Sequence, residues 1–164
     1  MKIVISDTNI FIDLLNIDLF KKFLRLPMEI HTTDLVLSEL KDEQAEVIEE
    51  HIKDKKITVI TADEEEYSEL IELMKERESI SLVDYSVYYF AKKINATILT
   101  GDKTFKNYAE GKNMEVKGIL WVLDEILNKK LLGKSDLAAK LRLLIETNKR
   151  IPVDECQQRL EKWE

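Results

Sequence analysis

The chain has 164 residues, enough for one domain with a single core, and its 45% hydrophobic and 35% charged residues exclude a disordered chain. Its apolar runs are far shorter than the ~20 residues that cross a bilayer, and Met1 and Lys2 lead into a strand-like run without a cleavage site, so we expect a cytoplasmic protein with no membrane partner. The net charge of −7 weighs against a surface that is basic throughout and built to bind nucleic acid.

The first half of the chain alternates between strand and helix patterns. The opening run KIVIS predicts a strand, and the polar residues Asp7, Thr8 and Asn9 separate it from a helical pattern. In chain order the predicted elements are strand 2–6, helical segments 8–16 and 19–26, strand 28–32, helix 34–53 and strand 56–61. Strands that alternate with helices indicate parallel βαβ units.

The second half continues the alternation. Its predicted elements are helices 62–78 and 81–95, strand 96–100, a loop leading into a short helix within 101–113, strand 114–118, and two or three closing helices, of which 122–132 and 136–146 are clear. The whole pattern predicts a three-layer α/β/α sandwich around a parallel sheet of about five strands. A doubly wound strand order of 3-2-1-4-5 would make the first and fourth strands neighbours.

Four acidic residues fall near the carboxyl edge of this predicted sheet, where ligands bind in such folds. They are Asp7 at the end of the first strand, Glu39 in the helix after the second, Asp84 in the first turn of the helix before the fourth, and Asp102 just after the fourth. In the order 3-2-1-4-5, Asp7 and Asp102 would lie side by side.

Each acid also has a simpler structural explanation. Ser81 stands three residues before Asp84, as in a helix cap, Glu39 fits an exposed helix position, and Asp102 fits a turn or a cap. Asp7 is hardest to explain in this way, because an acid after a buried central strand is costly unless something pairs with it. The four acids together are therefore more informative than any one of them.

The chemistry that suits grouped acids is metal binding. His31 and His51 lack a motif with Ser or Cys and are predicted to be a strand residue and a solvated helix residue, and no GxxxxGK phosphate loop is present. Grouped carboxylates repel one another unless a cation neutralises them. Mg²⁺ or Mn²⁺, held by carboxylates and water, is the usual agent for cleaving phosphodiesters, and either ion is the predicted cofactor.

Residues 129–150 form a basic segment. They include seven Lys or Arg residues and only two acids, a net charge of +5 in a chain whose total is −7. Two interpretations stay open, namely a solvated helix surface and a phosphate-binding face.

Several motifs resemble one known family. VISDTNIFIDLL, LSEL around Glu39, SLVDYSVYYFAKK around Asp84 and ILTGDKTF around Asp102 are similar to the PIN-domain ribonucleases, the fold of VapC-type toxins. The resemblance runs from Met1 to about Gly118, and VKGILWVLDEILNKKLLGKSD resembles the extension of one PIN branch. It implies a single PIN-like domain over 1–164 with a helical C-terminal extension from about 119.

The resemblance also implies a site. Its metal ligands and catalytic residues would be Asp7, Glu39, Asp84 and Asp102, and Asn9 and Thr100 would hydrogen-bond to the ligands and orient them. Thr8 or Asn9 would cap the first helix. The implied activity is a metal-dependent endoribonuclease that leaves a 5′-phosphate and a 3′-hydroxyl, and a non-cleaving PIN module in RNA binding or regulation is the alternative.

Two other families with an acid after the first strand fit less well. Haloacid-dehalogenase phosphatases want a second Asp two residues after the first, where this chain has Asn9. Response-regulator receivers want a pair of acids near the first strand and a late Lys after the fifth, and only Asp7 fits.

The resemblance implies three partners: an RNA substrate, a small antitoxin that would place a basic side chain among the acids, and a second copy of the chain. The homodimer rests partly on apolar residues after the first strand, which offer more apolar surface than one sheet face would cover, and the alternative is that these residues are wholly internal. These residues are Ile10, Phe11, Leu14, Leu15, Phe20 and Phe23. The whole chain would then be the toxin of a toxin-antitoxin pair.

Overall fold

A computed structural model describes residues 1–164 and contains five strands and ten helices. The strands are β1 (Lys2–Ser6), β2 (Met28–Thr33), β3 (Ile57–Ile60), β4 (Thr97–Leu99) and β5 (Val116–Lys117). The helices are α1 (Thr8–Asn16), α2 (Phe20–Phe23), α3 (Asp34–Ser38), α4 (Asp42–Lys53), α5 (Glu64–Leu73), α6 (Leu82–Ile94), α7 (Lys103–Gly111), α8 (Ile119–Asn128), α9 (Lys134–Thr147) and α10 (Val153–Trp163).

The five strands form one parallel sheet in the order β3-β2-β1-β4-β5. This confirms the predicted strand order and the α/β class. The central strand is β1, in which Ile5 lies opposite His31 of β2 on one side and Ile98 of β4 on the other. Ser6 lies opposite Leu99, so the residues that follow β1 and β4 leave the sheet at the same edge.

The predicted helix 34–53 is two helices in the structure. The short α3 ends at Ser38, whose hydroxyl donates to the Leu35 carbonyl at 2.6 Å, and α4 begins after Lys41. Between them Leu40 turns into the core and is only 8% exposed. Burial of Leu40 outweighs the continuous helical propensity of this segment, which has no Gly or Pro to signal the break.

The core is one cluster of 42 buried residues, and the three C-terminal helices complete it. Helix α8 packs against α2, and α9 packs against α1 and α10. The prediction that α1 and α2 leave an apolar face exposed is therefore wrong. The following side chains of these helices are all at most 3% exposed: Ile10, Phe11, Leu14, Phe20 and Phe23.

The prediction of a solvated His51 is also wrong. This side chain is 9% exposed, and its ring centroid lies 5.5 Å from that of Phe20 with the two rings tilted by 43°. The sequence showed His51 among charged neighbours, whereas the register of α4 turns it towards the sheet. No helix combines the length with the apolar character that crossing a bilayer would require.

Candidate active site

Asp7 lies at the centre of the site, directly after β1, and is only 2% exposed. One carboxylate oxygen, Oδ1, accepts the N–H of Ile10 at 3.5 Å, so Asp7 itself caps α1. The prediction that Thr8 or Asn9 caps this helix is therefore wrong. The other oxygen, Oδ2, accepts the side-chain amide of Asn9 at 3.2 Å and the hydroxyl of Thr100.

The electrostatic state of Asp7 follows from this burial. Burial raises the pKa of Asp7 from 3.8 to about 8, and the hydrogen bond from Thr100 opposes that shift. The negative charges of Asp84 and Asp102 raise the pKa further, in that order. The structure thus brings three of the predicted acids within electrostatic reach of one another.

The loop after β4 holds Asp102 beside this position. The carboxylate of Asp102 accepts the N–H of Phe105 at 3.0 Å and so caps α7, while its own N–H donates to the Thr100 hydroxyl at 3.1 Å. Gly101 between them donates its N–H to Oδ1 of Asn9 at 2.8 Å. The Asn9 side chain therefore joins the end of β1 to the loop after β4.

Gly101 makes a close approach to the side chain of Asn9. A Cβ atom at this position would lie 3.1 Å from Oδ1 of Asn9, closer than ordinary van der Waals contact. The absence of a side chain lets the loop backbone come within hydrogen-bonding distance of Asn9.

Asp84 and Glu39 approach from helices α6 and α3. Asp84 lies in the first turn of α6, where its N–H donates to the hydroxyl of Ser81 at 3.1 Å. Burial raises the pKa of Asp84 to about 6, and the charges of Asp102 and then Glu39 add to the shift, while Ser81 opposes it. Glu39 is exposed at the end of α3, and its Oε1 accepts the hydroxyl of Thr8 at 2.8 Å.

No cation of the protein neutralises these acids. The seven ion pairs of the structure include none of the following residues: Asp7, Glu39, Asp84 and Asp102. Buried or half-buried carboxyl groups without a positive partner are costly when ionised. The raised pKa values of Asp7 and Asp84 express that cost.

The chemistry of this donor set fits a hard divalent cation, since all four side chains offer carboxylate oxygens and lack a positive partner. The arrangement is nevertheless open, because no three Asp, Glu, His or Cys side chains of the structure form a metal-coordinating group. The carboxylates of Asp7 and Asp102 each accept a backbone N–H at the start of the helix that follows them.

The sequence of the chain matches the family model of the PIN domain over residues 3–164. The chain belongs to the PIN-domain family. The resemblance drawn from the four motifs is thereby confirmed, whereas the roles of the individual acids remain predictions.

Solved structures with a similar fold accompany this match. A domain of a functionally unknown protein from Methanocaldococcus jannaschii is 24% identical, with a TM-score of 0.50 over 72% of this PIN domain and 91% of that chain. VapBC2 from Rickettsia felis, bound to a DNA fragment from its promoter, is 19% identical, with a TM-score of 0.49 over 71% of this chain and 98% of that one. Comparison with curated proteins finds no match.

Sequence reasoning missed several polar contacts that place the acids of this PIN domain. Thr8 binds Glu39, and the hydroxyls of Thr33 and Ser86 lie 2.9 Å apart, which joins the cap of α3 to α6. Since α3 leads to Glu39 and α6 carries Asp84, this buried pair links the two segments that present these acids. The sequence indicates this contact only through Ser86, a polar residue between the apolar Tyr85 and Val87 of α6.

Proposed function

We propose that this PIN domain is a Mg²⁺- or Mn²⁺-dependent endoribonuclease that hydrolyses RNA phosphodiester bonds. The observation that carries the proposal is a chain of electrostatic interactions among four acids, in which Asp84 and Asp102 act on Asp7 and Glu39 acts on Asp84, without a positively charged partner in any ion pair. Membership of a family whose members are generally nucleases supports it. A phosphodiesterase that works through a divalent ion needs oxygen ligands such as these carboxylates to hold the ion.

The proposed roles of the side chains follow from their positions. Asp7, Asp84 and Asp102 hold the principal ion, and Glu39, the exposed member, helps to hold it or positions the attacking water. When bound, the ion supplies positive charge for the phosphoryl oxygens and lowers the pKa of water. The hydrogen bonds of Asn9 and Thr100 to Oδ2 of Asp7 orient that carboxylate.

The proposed reaction is a hydrolysis by in-line attack. The oxygen of water forms a bond to phosphorus, and the bond from phosphorus to the 3′ oxygen breaks. The departing 3′ oxygen takes up a proton, and the products are a 5′-phosphate and a 3′-hydroxyl.

Replacement of one acid tests the proposal. Asp84→Asn should lower kcat on a single-stranded RNA with Mn²⁺ by roughly 100-fold or more, since residues that merely orient metal ligands are already worth about 10- to 100-fold. RNA affinity should stay close to that of the parent, because Asp84 makes no phosphate contact in this proposal. Asp54→Asn is the matched control, because Asp54 ends α4 and is not one of the four acids of the site. This variant should cleave RNA as the parent does.

Full activity in Asp84→Asn would show that Asp84 has only a structural role in the first turn of α6, and it would contradict the four-acid site. Binding of RNA by the parent without cleavage, in Mg²⁺ and in Mn²⁺, would favour the alternative of a non-cleaving PIN module. The cleavage assay and the binding assay together therefore separate the two functions.

We further propose that the chain is the toxin of a toxin-antitoxin pair and acts in the cytoplasm as a homodimer. A small antitoxin that inserts an Arg or Lys side chain would neutralise the acids around Asp7. We also propose that residues 1–164 form one PIN-like domain whose helices from about 119 are an extension. In this arrangement the extension covers α1 and α2.

A further inference from the structure

A cavity of about 670 Å³ adjoins the acidic site. It begins at Thr100, Gly101 and Asp102, continues along α7 and β5, and ends at the turn between α9 and α10. Its volume is within the ~300–1,000 Å³ of sites that hold small ligands. A group bound in this cavity would lie next to the carboxylate of Asp102, one of the proposed metal ligands.

The wall of this cavity is rich in unpaired positive charge. Lys103, Lys106, Lys117 and Arg150 line it, and none of the four takes part in an ion pair. A fifth cation, Arg159, is already bound to both carboxylate oxygens of Asp124, at 2.9 and 2.6 Å. The four free cations therefore stand out in a chain whose net charge is −7.

Acidic side chains also line the cavity, but they are fewer. Glu110 and Glu155 belong to its wall besides Asp102 of the site itself. The contrast with another cavity of about 670 Å³ is clear, because that one lies between α5 and α6 and is lined by Glu69, Glu72 and Glu76 against two Lys residues. The cavity beside Asp102 is the one that suits an anionic chain.

An aromatic ring lies in the same wall. Trp121, in the first turns of α8, is half-buried and borders the cavity. Proteins that bind single-stranded nucleic acid combine a positive groove with aromatic rings on which bases stack. The ring also packs against the core, and the ammonium of Lys2 lies 5.9 Å from its centroid.

The turn that carries Arg150 is tied to the core. Oδ1 of Asn148 accepts the N–H of Arg150 at 2.9 Å, and Nδ2 of Asn148 donates to the buried carboxylate of Asp13 in α1 at 3.0 Å. Since Asp7 caps α1 and Asp13 lies within it, one helix joins the acidic site to the turn at the far end of the cavity. These hydrogen bonds hold the backbone of Arg150 at the cavity.

We propose that this cavity binds one or two nucleotides of single-stranded RNA beside the scissile phosphate, with Lys106, Lys117 and Arg150 on phosphates and Trp121 on a base. The proposal rests on the proposed ribonuclease function and names where its substrate lies. Of the seven Lys and Arg residues of the basic segment 129–150, Arg150 alone lines the cavity. The remaining cations of the phosphate-binding wall come from α7 and β5.

Binding of a fluorescently labelled single-stranded RNA of mixed sequence, measured by polarisation in excess chelator to prevent cleavage, tests the cavity. Lys106→Gln and Arg150→Gln should each reduce the slope of log affinity against log salt by about 0.7, the value for one lost phosphate contact on a single strand. Trp121→Ala should weaken binding by about tenfold without changing that slope. Trp121→Phe keeps an aromatic ring and should bind nearly as the parent does.

Lys56→Gln is the matched control. Lys56 is exposed and precedes β3 at the opposite edge of the sheet, so its loss should change neither affinity nor slope. Parent-like affinity and salt slope in Lys106→Gln, Arg150→Gln and Trp121→Ala would overturn the proposal. Because Lys106 and Arg150 are exposed, their variants should fold, and thermal unfolding verifies this.

The outcomes separate this inference from the proposed function. If the parent cleaves RNA and all three variants bind RNA as the parent does, the ribonuclease proposal is supported and RNA binding in the cavity is excluded. If the three substitutions weaken RNA binding but the parent cleaves RNA with neither Mg²⁺ nor Mn²⁺, RNA binding in the cavity is supported and the ribonuclease proposal is excluded.

Discussion

At the scale of single residues, two buried acids of α1 show how the protein treats uncompensated charge. Burial raises the pKa of Asp7 to about 8 and that of Asp13 to about 6, although each accepts hydrogen bonds from neutral side chains. The hydroxyl of Thr100 opposes the shift at Asp7, and the amide of Asn148 opposes it at Asp13. Neutral donors thus reduce the cost of burying the charge without removing it.

This cost predicts that Asp7 destabilises the metal-free protein at neutral and alkaline pH. Since its folded pKa is raised from 3.8 to about 8, the folded state holds more protons than the unfolded state between these values, and stability falls as pH rises through this window. Asp7→Asn stays neutral and should exceed the parent by about 1–4 kcal/mol in free energy of unfolding at pH 8 with chelator. Denaturant unfolding at pH 4 and pH 8 measures the difference, which should nearly vanish at pH 4.

The same pair of proteins responds differently to metal. Millimolar Mn²⁺ should raise the thermal midpoint of the parent, because a ligand that binds only the folded state stabilises it. The Asp7→Asn protein should show little of this gain. A parent that is as stable as Asp7→Asn at pH 8 and indifferent to Mn²⁺ would contradict both the buried charge and the metal site.

At the scale of elements, the sequence predicted the strands well, and their order is confirmed. β-Branched runs mark β1 and β4, and polar residues end both strands where they reach the carboxyl edge. The break between α3 and α4 could not be read in the same way, because it depends on the tertiary burial of Leu40. The cap of α1 was misplaced for a related reason, since Asp7, Thr8 and Asn9 are all good caps and only packing decides among them.

The loop between β4 and α7 gives a prediction at this scale. Gly101→Ala would bring a Cβ atom to 3.1 Å from Oδ1 of Asn9, so Asn9 must move and its hydrogen bond to the loop weakens. We expect a loss of about 1 kcal/mol in free energy of unfolding and a lower kcat, because Asn9 also orients Asp7.

Gly111→Ala is the matched control for this loop. Gly111 lies in the last turn of α7, and an added Cβ atom would meet nothing within 4 Å. This substitution should raise stability by roughly 0.5–1 kcal/mol and leave kcat unchanged. A Gly101→Ala protein that behaves like Gly111→Ala in unfolding and cleavage would show that the Asn9 contact is dispensable.

At the scale of the whole molecule, the C-terminal helices change what the apolar residues of α1 and α2 mean. Patterns in the sequence showed a surplus of apolar residues there, but they could not show that α8 and α9 cover it, because that contact joins segments about a hundred residues apart. The approach of Asp7 and Asp102, by contrast, follows from the strand order, which the alternation of elements predicts. The cavity beside Asp102 needs the turn after α9 and had no signal in any motif.

Because the face on α1 and α2 is buried, the predicted homodimer must use other apolar surface, and α5 offers it. Tyr67, Ile71 and Met74 recur at helical spacing and are 44%, 41% and 37% exposed. We expect light scattering at tens of micromolar protein to give twice the 19.2 kDa mass of one chain.

Ile71→Lys should shift the protein to monomers, since an unpaired charge at an apolar interface is costly. Val47→Lys on α4, where the native side chain is 39% exposed, is the matched control and should remain dimeric. A monomeric parent would exclude the dimer and leave the nuclease proposal unchanged, because the four acids all belong to one chain.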